Sequence, residues 1–280
     1  MIYRIRTIAA LTIREAARRR LLAALVGITV AMVGLSAWGF DRLAHGGALT
    51  SGESTLALPQ SLILFMFMFS FVVALSASAI ASPSVASEIE SGVLMTVVTR
   101  PIRRGEVIIG KWLGLAALLA GYAAAVSVLE MGVVDWVSGY LPPNPVLTTV
   151  YLFAEGLLLL TLALLLSTRM STLAAGVVGI ALFGAAWLAG VVGFLGTTFG
   201  IGALRTIGRI SRVVLPTDGL WHGAIYYLEP PSLLRAHSLG QNENPFFTRS
   251  PPSWVYLAWV GVWFVAVLGA AILSFDRREI

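Results

Sequence analysis

The chain has 280 residues, of which 58% are hydrophobic and 12% charged, with a net charge of +5 and a mean hydropathy of +0.86. A soluble domain carries about 25% charged residues, so this composition excludes a soluble globular protein and predicts an integral membrane protein. The absence of cysteine excludes disulfides, thiolate metal sites and cysteine nucleophiles. The positive charges lie beside apolar runs, which indicates orientation in a membrane and no nucleic-acid partner.

Residues 1–20 alternate arginines with aliphatic side chains. This pattern predicts an amphipathic helix that lies on the cytoplasmic leaflet and leads into the first span. A secretory signal peptide is the alternative, because Arg18 to Arg20 precede an apolar run. Five more apolar runs follow and no clear cleavage site appears, which favours the interface helix.

Six apolar runs are long enough to cross a bilayer, which takes roughly 20 residues. They lie near residues 21–40, 60–82, 107–134, 147–167, 171–195 and 254–274. With the N-terminus inside, 13 of the 19 lysines and arginines fall on the inner side. The sequence therefore predicts an all-α, multi-pass membrane domain over residues 1–280, with both termini and the 83–106 loop in the cytoplasm.

Residues 196–252 form a long outer segment before the last span. One face of a predicted helix there is basic and the opposite face is apolar, which is typical of a helix in the outer interface. The basic residues are Arg205, Arg209 and Arg212, and the apolar ones are Ala203, Ile207, Ile210 and Val214. A second short helix is predicted at Thr217–Leu228, ended by Pro230-Pro231.

The stretch of residues 82–111 is the one long polar interruption on the predicted cytoplasmic side. Its opening Ser-Pro pair is typical of a helix start, although the spacing of Ser87 and Glu90 fits a capping box and a later start. Aliphatic residues at every fourth position predict an apolar stripe on a short helix that Pro101 ends. Gly92 either admits a close backbone approach or breaks that helix. The stripe consists of Val85, Ile89, Val93 and Val97.

The same stretch carries a motif: Glu88, Glu90, Ser91-Gly92, Thr99-Arg100-Pro101-Ile102-Arg103-Arg104 and Gly110-Lys111. It resembles the signature of type-2 ATP-binding-cassette (ABC) permeases, and departs from it at Val93, where threonine is more frequent, and at Arg103, where serine is common. The resemblance implies that this segment contacts a separate ATPase subunit. The residues implied in that coupling are Glu88, Ile89, Glu90, Gly92, Val93, Val97, Arg100, Pro101 and Arg103.

The resemblance implies the permease subunit of an ABC transporter, more an exporter than an importer, in the cell membrane of a bacterium or archaeon. Its implied partners are ABC ATPase subunits, which would hold ATP and magnesium, and a second copy or a related permease, among membrane lipids. No cofactor is expected in this chain. The stretch LPTDGLWHGAIYYLEP also resembles, weakly, permeases that act in copper-site maturation of nitrous-oxide reductase.

Residues 105–111 read GEVIIGK and differ from a phosphate-binding loop in the following residue. Trp112 replaces the serine or threonine hydroxyl that would bind magnesium, and no strand precedes the motif. The sequence therefore predicts that the chain is not an enzyme and that the ATPase is a separate polypeptide.

Glu130 and Glu155 are ionisable residues within predicted spans, roughly 6 and 12 Å from the outer ends. A carboxylate inside a membrane is costly and often functional, so the pair predicts a site for a cationic substrate or a proton in one shared cavity. The alternative is local hydrogen bonding to Tyr151, Trp136 or the backbone. The pair also supports an alternative function, a proton- or ion-coupled secondary carrier.

No catalytic or metal site is predicted. The three histidines, His45, His222 and His237, lack ligand spacing, and Met66 and Met68 lie on different helix faces.

Gly110 and Gly114 form a GxxxG pair, which predicts either close packing within the chain or a dimer face.

Overall fold

The computed structural model describes residues 2–17, 20–45, 51–92, 103–231, 234, 245–246, 248 and 250–278. These residues form ten α-helices and contain no β-strand, which confirms the all-α class. The helices are α1 (Ile2–Ala17), α2 (Arg20–His45), α3 (Ser51–Ala81), α4 (Pro83–Glu90), α5 (Arg104–Ser138), α6 (Pro145–Ser167), α7 (Thr172–Thr198), α8 (Gly202–Val214), α9 (Thr217–Leu228) and α10 (Trp254–Asp276).

Within the described residues, six stretches are long and apolar enough to cross a membrane, as predicted. They are Ala23–Arg42, Gln60–Glu90, Arg104–Ser138, Pro145–Ser167, Thr172–Thr198 and Trp254–Asp276. The second one differs most from its predicted bounds, because α4 continues α3. Ser82 keeps helical angles of −56° and −40°, and its N–H donates to the Ser78 carbonyl at 2.9 Å. Pro83 is the first residue of α4, as the Ser-Pro pair predicts, and α4 continues the helical path of α3 without a break.

Helix α6 is the centre of the bundle. It contributes a buried leucine to each of the four apolar clusters that the described residues form, namely Leu152, Leu158, Leu159 and Leu164. Between spans, such clusters are stabilised by close van der Waals packing. In these clusters α6 packs against other helices, including α3, α5, α7, α9 and α10.

Helix α1 packs lengthwise on the beginning of α5 across the GxxxG pair. A Cβ atom at Gly114 would lie 2.6 Å from the carbonyl oxygen of Ala9, and one at Gly110 would lie 2.8 Å from Ile8 Cβ. Only glycine permits this approach, so the interpretation as packing within the chain is confirmed for this pair. The place of α1 relative to a membrane surface stays a prediction.

Helix α8 folds back along α7. The chain reverses at Gly200, whose φ of +72° favours glycine. A Cβ atom at Gly193 would lie 2.8 Å from the Cα of Gly208, and Ser211 donates to the Ala186 carbonyl at 3.4 Å. Because Ala186 lies near the middle of α7, α8 runs antiparallel to α7 from the end of that span to its middle. A helix lying flat in the interface would not make these contacts.

Helix α9 has the predicted bounds and returns along α6. The Thr148 hydroxyl donates to the Ala224 carbonyl at 3.4 Å, and the Asn144 N–H donates to the Tyr227 carbonyl at 3.3 Å. Before the other end of α9, Trp263 Nε1 of α10 donates to the carbonyl of Val214, the last residue of α8, at 2.8 Å. Helices α8 and α9 thus form a hairpin, residues 202–228, whose tip lies inside the bundle.

Candidate functional site

Lys111 is a buried ammonium where α4 meets α5. Its Nζ atom donates to the Glu88 carboxylate at 2.6 Å and to the Ser84 carbonyl at 2.6 Å. Burying an ammonium is costly unless an opposite charge and hydrogen bonds compensate it, and both are present. The contact therefore fixes α4 to α5. We call this part of the bundle, where α4, the beginning of α5 and the end of α10 lie, the α4 end.

Glu90 joins the same short helix to α7. Its carboxylate accepts hydrogen bonds from the Thr172 backbone N–H at 3.0 Å and from the Thr172 hydroxyl at 3.4 Å. Thr172 is the first residue of α7, where backbone N–H groups lack helical partners and a negative charge is stabilising. The sequence reading missed this contact, because the capping-box spacing paired Glu90 with Ser87. Ser87 instead bonds to the Pro83 carbonyl within α4.

The apolar stripe of α4 turns into the bundle. Val85 is fully buried, and Ile89 packs against the same cluster, which contains Leu164 and Phe275. These two residues of the stripe therefore contact their own chain, Val85 completely and Ile89 in part. The role of Ile89 in coupling stays a prediction.

Helix α4 ends at Glu90, well before Pro101. Gly92 has a φ of +72°, is exposed, and has no atom within 4 Å of a Cβ built on it. Gly92 therefore lies just beyond the end of the helix, and no atom of the described part of the chain approaches it closely. Four of the predicted coupling residues, Val93, Val97, Arg100 and Pro101, lie outside the described residues.

Arg104, beside the predicted coupling residue Arg103, caps the end of α10. Its guanidinium donates to the carbonyls of Phe275 at 3.2 Å, Asp276 at 3.1 Å and Arg278 at 2.7 Å. Cations are stabilising at a helix C-terminus, where carbonyl groups lack partners. Arg103 itself is exposed in extended backbone before α5. In the described part of the motif, Arg104 is thus bound to the bundle and Arg103 is exposed.

The GEVIIGK stretch is helical and does not form a phosphate-binding loop. Its residues lie in the first two turns of α5, and the Lys111 ammonium is bound to Glu88. A Cβ atom at Gly105 would meet Ile272 of α10 at 3.3 Å, so this glycine serves helix packing.

Glu130 and Glu155 are both buried, but they lie on different levels. Ser36 of α2 donates to Glu130 at 2.8 Å, and Ser70 of α3 donates to Glu155 at 2.8 Å. Leu119 of α5 contacts Gly156, next to Glu155. Eleven residues separate Leu119 from Glu130, about 16 Å at the rise of an α-helix. The expectation of one shared cavity is therefore not met, and the observed partners are serines.

A second buried carboxylate lies beside Glu155. Asp218 of α9 accepts a hydrogen bond from Arg212 Nε at 2.6 Å, and its side chain contacts Gly190 of α7. Electrostatic interactions link it to Glu155 and to Tyr256. The sequence reading assigned Arg212 to an amphipathic face and missed the pair. A lone aspartate in the apolar stretch LPTDGLW was the available signal.

His222 lies one turn after Asp218 on α9 and makes its hydrogen bond within that helix. Its Nδ1 atom lies 2.7 Å from the Asp218 backbone carbonyl. Within the described part of the chain, no group of three or more His, Asp or Glu side chains could hold a metal ion.

Comparison with known families shows to which family the chain belongs. Residues 6–280 match the family described as ABC-2 family transporter protein. The chain belongs to this family. It is a membrane permease subunit of an ABC transporter and a multi-pass membrane protein. Comparison with curated proteins finds no significant match. The resemblance to copper-maturation permeases is not confirmed.

Proposed function

We propose that this ABC-2 permease is an exporter subunit that a separate cytoplasmic ATPase drives through α4. The observation that carries the proposal is the double attachment of α4, by Glu88 to Lys111 of α5 and by Glu90 to Thr172 of α7. Since α4 also continues α3, a force on this one short helix acts on three spans together.

The described surface that the proposal assigns to the ATPase is the exposed end of α4 together with the residue before α5. Glu90, Ser91, Gly92 and Arg103 are exposed, whereas Val85 is buried. We place Val93, Val97, Arg100 and Pro101 in the same contact on the strength of the family motif. Exposed charged residues at such a rim mainly set register and partner choice.

Closure of the ATPase would then push α4 and shift α3, α5 and α7 against α6. Helix α6 contacts its neighbours through apolar clusters, which allow small sliding movements of packed helices. A second permease copy or a related permease would complete the substrate path. Glu155 of α6, and less directly Glu130, are the residues we assign to that path.

ATP and magnesium belong to the partner in this proposal, because Lys111 is bound to Glu88 in a helix. Family membership favours this account over a proton- or ion-coupled carrier. The test is ATP hydrolysis by the purified chain, alone and reconstituted with its ATPase. Hydrolysis is expected from the complex only. Hydrolysis by the chain alone, abolished by Lys111→Ala, would overturn the proposal.

A further inference from the structure

Helix α8, which carries the three arginines, packs along the span α7. A Cβ atom at Gly196 of α7 would lie 2.5 Å from the Arg205 backbone nitrogen, so Arg205 lies near the end of that span. Arg209 follows one turn later, about 6 Å deeper at the helical rise. On a span of 27 residues, about 40 Å long against a hydrocarbon core of about 30 Å, such positions fall near the boundary between hydrocarbon and headgroups.

These two arginines lack a carboxylate partner within the described residues. Arg212, further along α8, is neutralised by Asp218 at 2.6 Å. Arg205 donates to the Gly200 carbonyl at 3.1 Å, while its Nε atom is buried without a hydrogen bond. Arg209 is exposed. Two uncompensated guanidinium groups thus lie within reach of each other beside an apolar span.

The other face of α8 is suited to acyl chains. Ile207, Ile210 and Val214 are 46%, 58% and 66% exposed, too much for a face covered by the rest of the chain. A charge beside hydrocarbon is costly, and long arginine stems reduce that cost by extending to the headgroup level. The helix therefore combines a face for acyl chains with two guanidinium groups at the depth of lipid phosphates.

We propose that Arg205 and Arg209 bind the phosphate of an anionic membrane lipid at the end of the bundle opposite α4. A guanidinium group matches a phosphodiester because two parallel N–H donors meet two oxygens. The exposed aliphatic residues on the opposite side of the same helix favour a lipid over a soluble anion. The bound lipid holds the α8–α9 hairpin against α7, which is a role separate from ATP coupling.

The experiment is native mass spectrometry of the purified full-length chain titrated with phosphatidylglycerol and with phosphatidylcholine. Arg209→Gln is expected to weaken phosphatidylglycerol retention about fivefold, since one arginine near a lipid surface contributes on the order of that factor. Arg209→Lys keeps the charge and is expected to retain most of the lipid. Arg42→Gln removes the same charge from an exposed site at the end of α2 and serves as the matched control.

Equal phosphatidylglycerol retention by Arg209→Gln and Arg42→Gln would overturn the proposal. Displacement of the lipid by glycerol phosphate at equal concentration would also overturn it, since the site would then take a soluble anion. Arg209 makes no hydrogen bond to the described residues, so Arg209→Gln is expected to fold normally, as thermal unfolding would show. Arg205→Gln provides a second variant, with the same loss expected.

Discussion

The ammonium nitrogen of Lys111 lies 2.6 Å from Oε1 of Glu88, and the two partners differ in exposure. The Lys111 side chain is 5% exposed, whereas that of Glu88 is 23% exposed. The buried member is therefore the cation, and the carboxylate reaches the surface on which we place the ATPase. A partner that contacts Glu88 acts directly on the residue that compensates the buried charge.

This asymmetry predicts unequal effects of the two single substitutions. Glu88→Gln leaves a buried ammonium without a counter-charge and is expected to cost about 3 kcal/mol or more of unfolding free energy. Lys111→Met leaves a carboxylate that water can reach and is expected to cost less. The double variant is expected to recover much of the loss. Denaturant unfolding of the purified variants measures the difference, and equal losses in the two single variants would contradict it.

The contact of α1 with α5 predicts a sharp difference between two glycines. Gly114→Leu would place side-chain atoms into the Ala9 backbone, whereas a Cβ atom at Gly121 meets nothing within 4 Å. We expect Gly114→Leu to cost about 1–3 kcal/mol and to release α1, and Gly121→Leu to have little effect. Hydrogen exchange of the α1 amides is the measurement. Equal protection in both variants would show that this packing does not hold α1.

The positions of the six spans and of α9 could be predicted from the sequence, because both depend on local patterns. Apolar runs of spanning length set the six spans, and Pro230 marks the end of α9. The depth of Glu130 and Glu155 depends on where α5 and α6 end and how they align. Helix α5 extends to Ser138, beyond the predicted 134, and the α5–α6 alignment is a tertiary property.

Tertiary packing also decides two features that local sequence patterns cannot predict, the surface that covers the stripe of α4 and the direction of α8. A stripe such as Val85 and Ile89 identifies an apolar face but not the surface that covers it, and here the covering residues come from α5, α6 and α10. The direction of α8 depends on Gly193 meeting Gly208, a pairing that spacing within either helix does not reveal.

Glu155 is expected to matter for transport more than for assembly. Glu155→Gln keeps the shape and an oxygen that can accept the Ser70 hydrogen bond, and it removes an ionisable group that interacts with Asp218. We expect assembly with the ATPase to be unchanged and transport to fall severalfold. Glu130→Gln, in the α2–α5 contact, is expected to have a smaller effect. Unchanged transport in Glu155→Gln would mean that this carboxylate is structural.

The end of α9 is expected to respond to pH through Glu229. Burial raises the pKa of Glu229 from 4.5 to about 8, against the opposing effect of a hydrogen bond with the Thr248 backbone. The folded state thus holds the proton more tightly than the unfolded state, so its stabilising effect is complete below about pH 4.5 and is lost as the pH rises to about 8. Glu229→Gln is expected to remove this dependence, a change on the order of a few kcal/mol. Hydrogen exchange of the α9 amides across this pH range measures it, with Tyr140→Phe as the control for the neighbouring phenol. The same pH dependence in Glu229→Gln would assign the effect to another group.

The contact between α4 and the ATPase can be tested directly by photo-cross-linking from single positions in the assembled transporter. A photoreactive phenylalanine at Ser91, exposed beyond the end of α4, is compared with one at Trp136, which is 86% exposed near the opposite end of α5. We predict a cross-link to the ATPase subunit from position 91 and none from position 136. Absence of a cross-link from position 91 in an assembled, active complex, or an equal yield from position 136, would contradict the proposal that the ATPase drives this permease through α4.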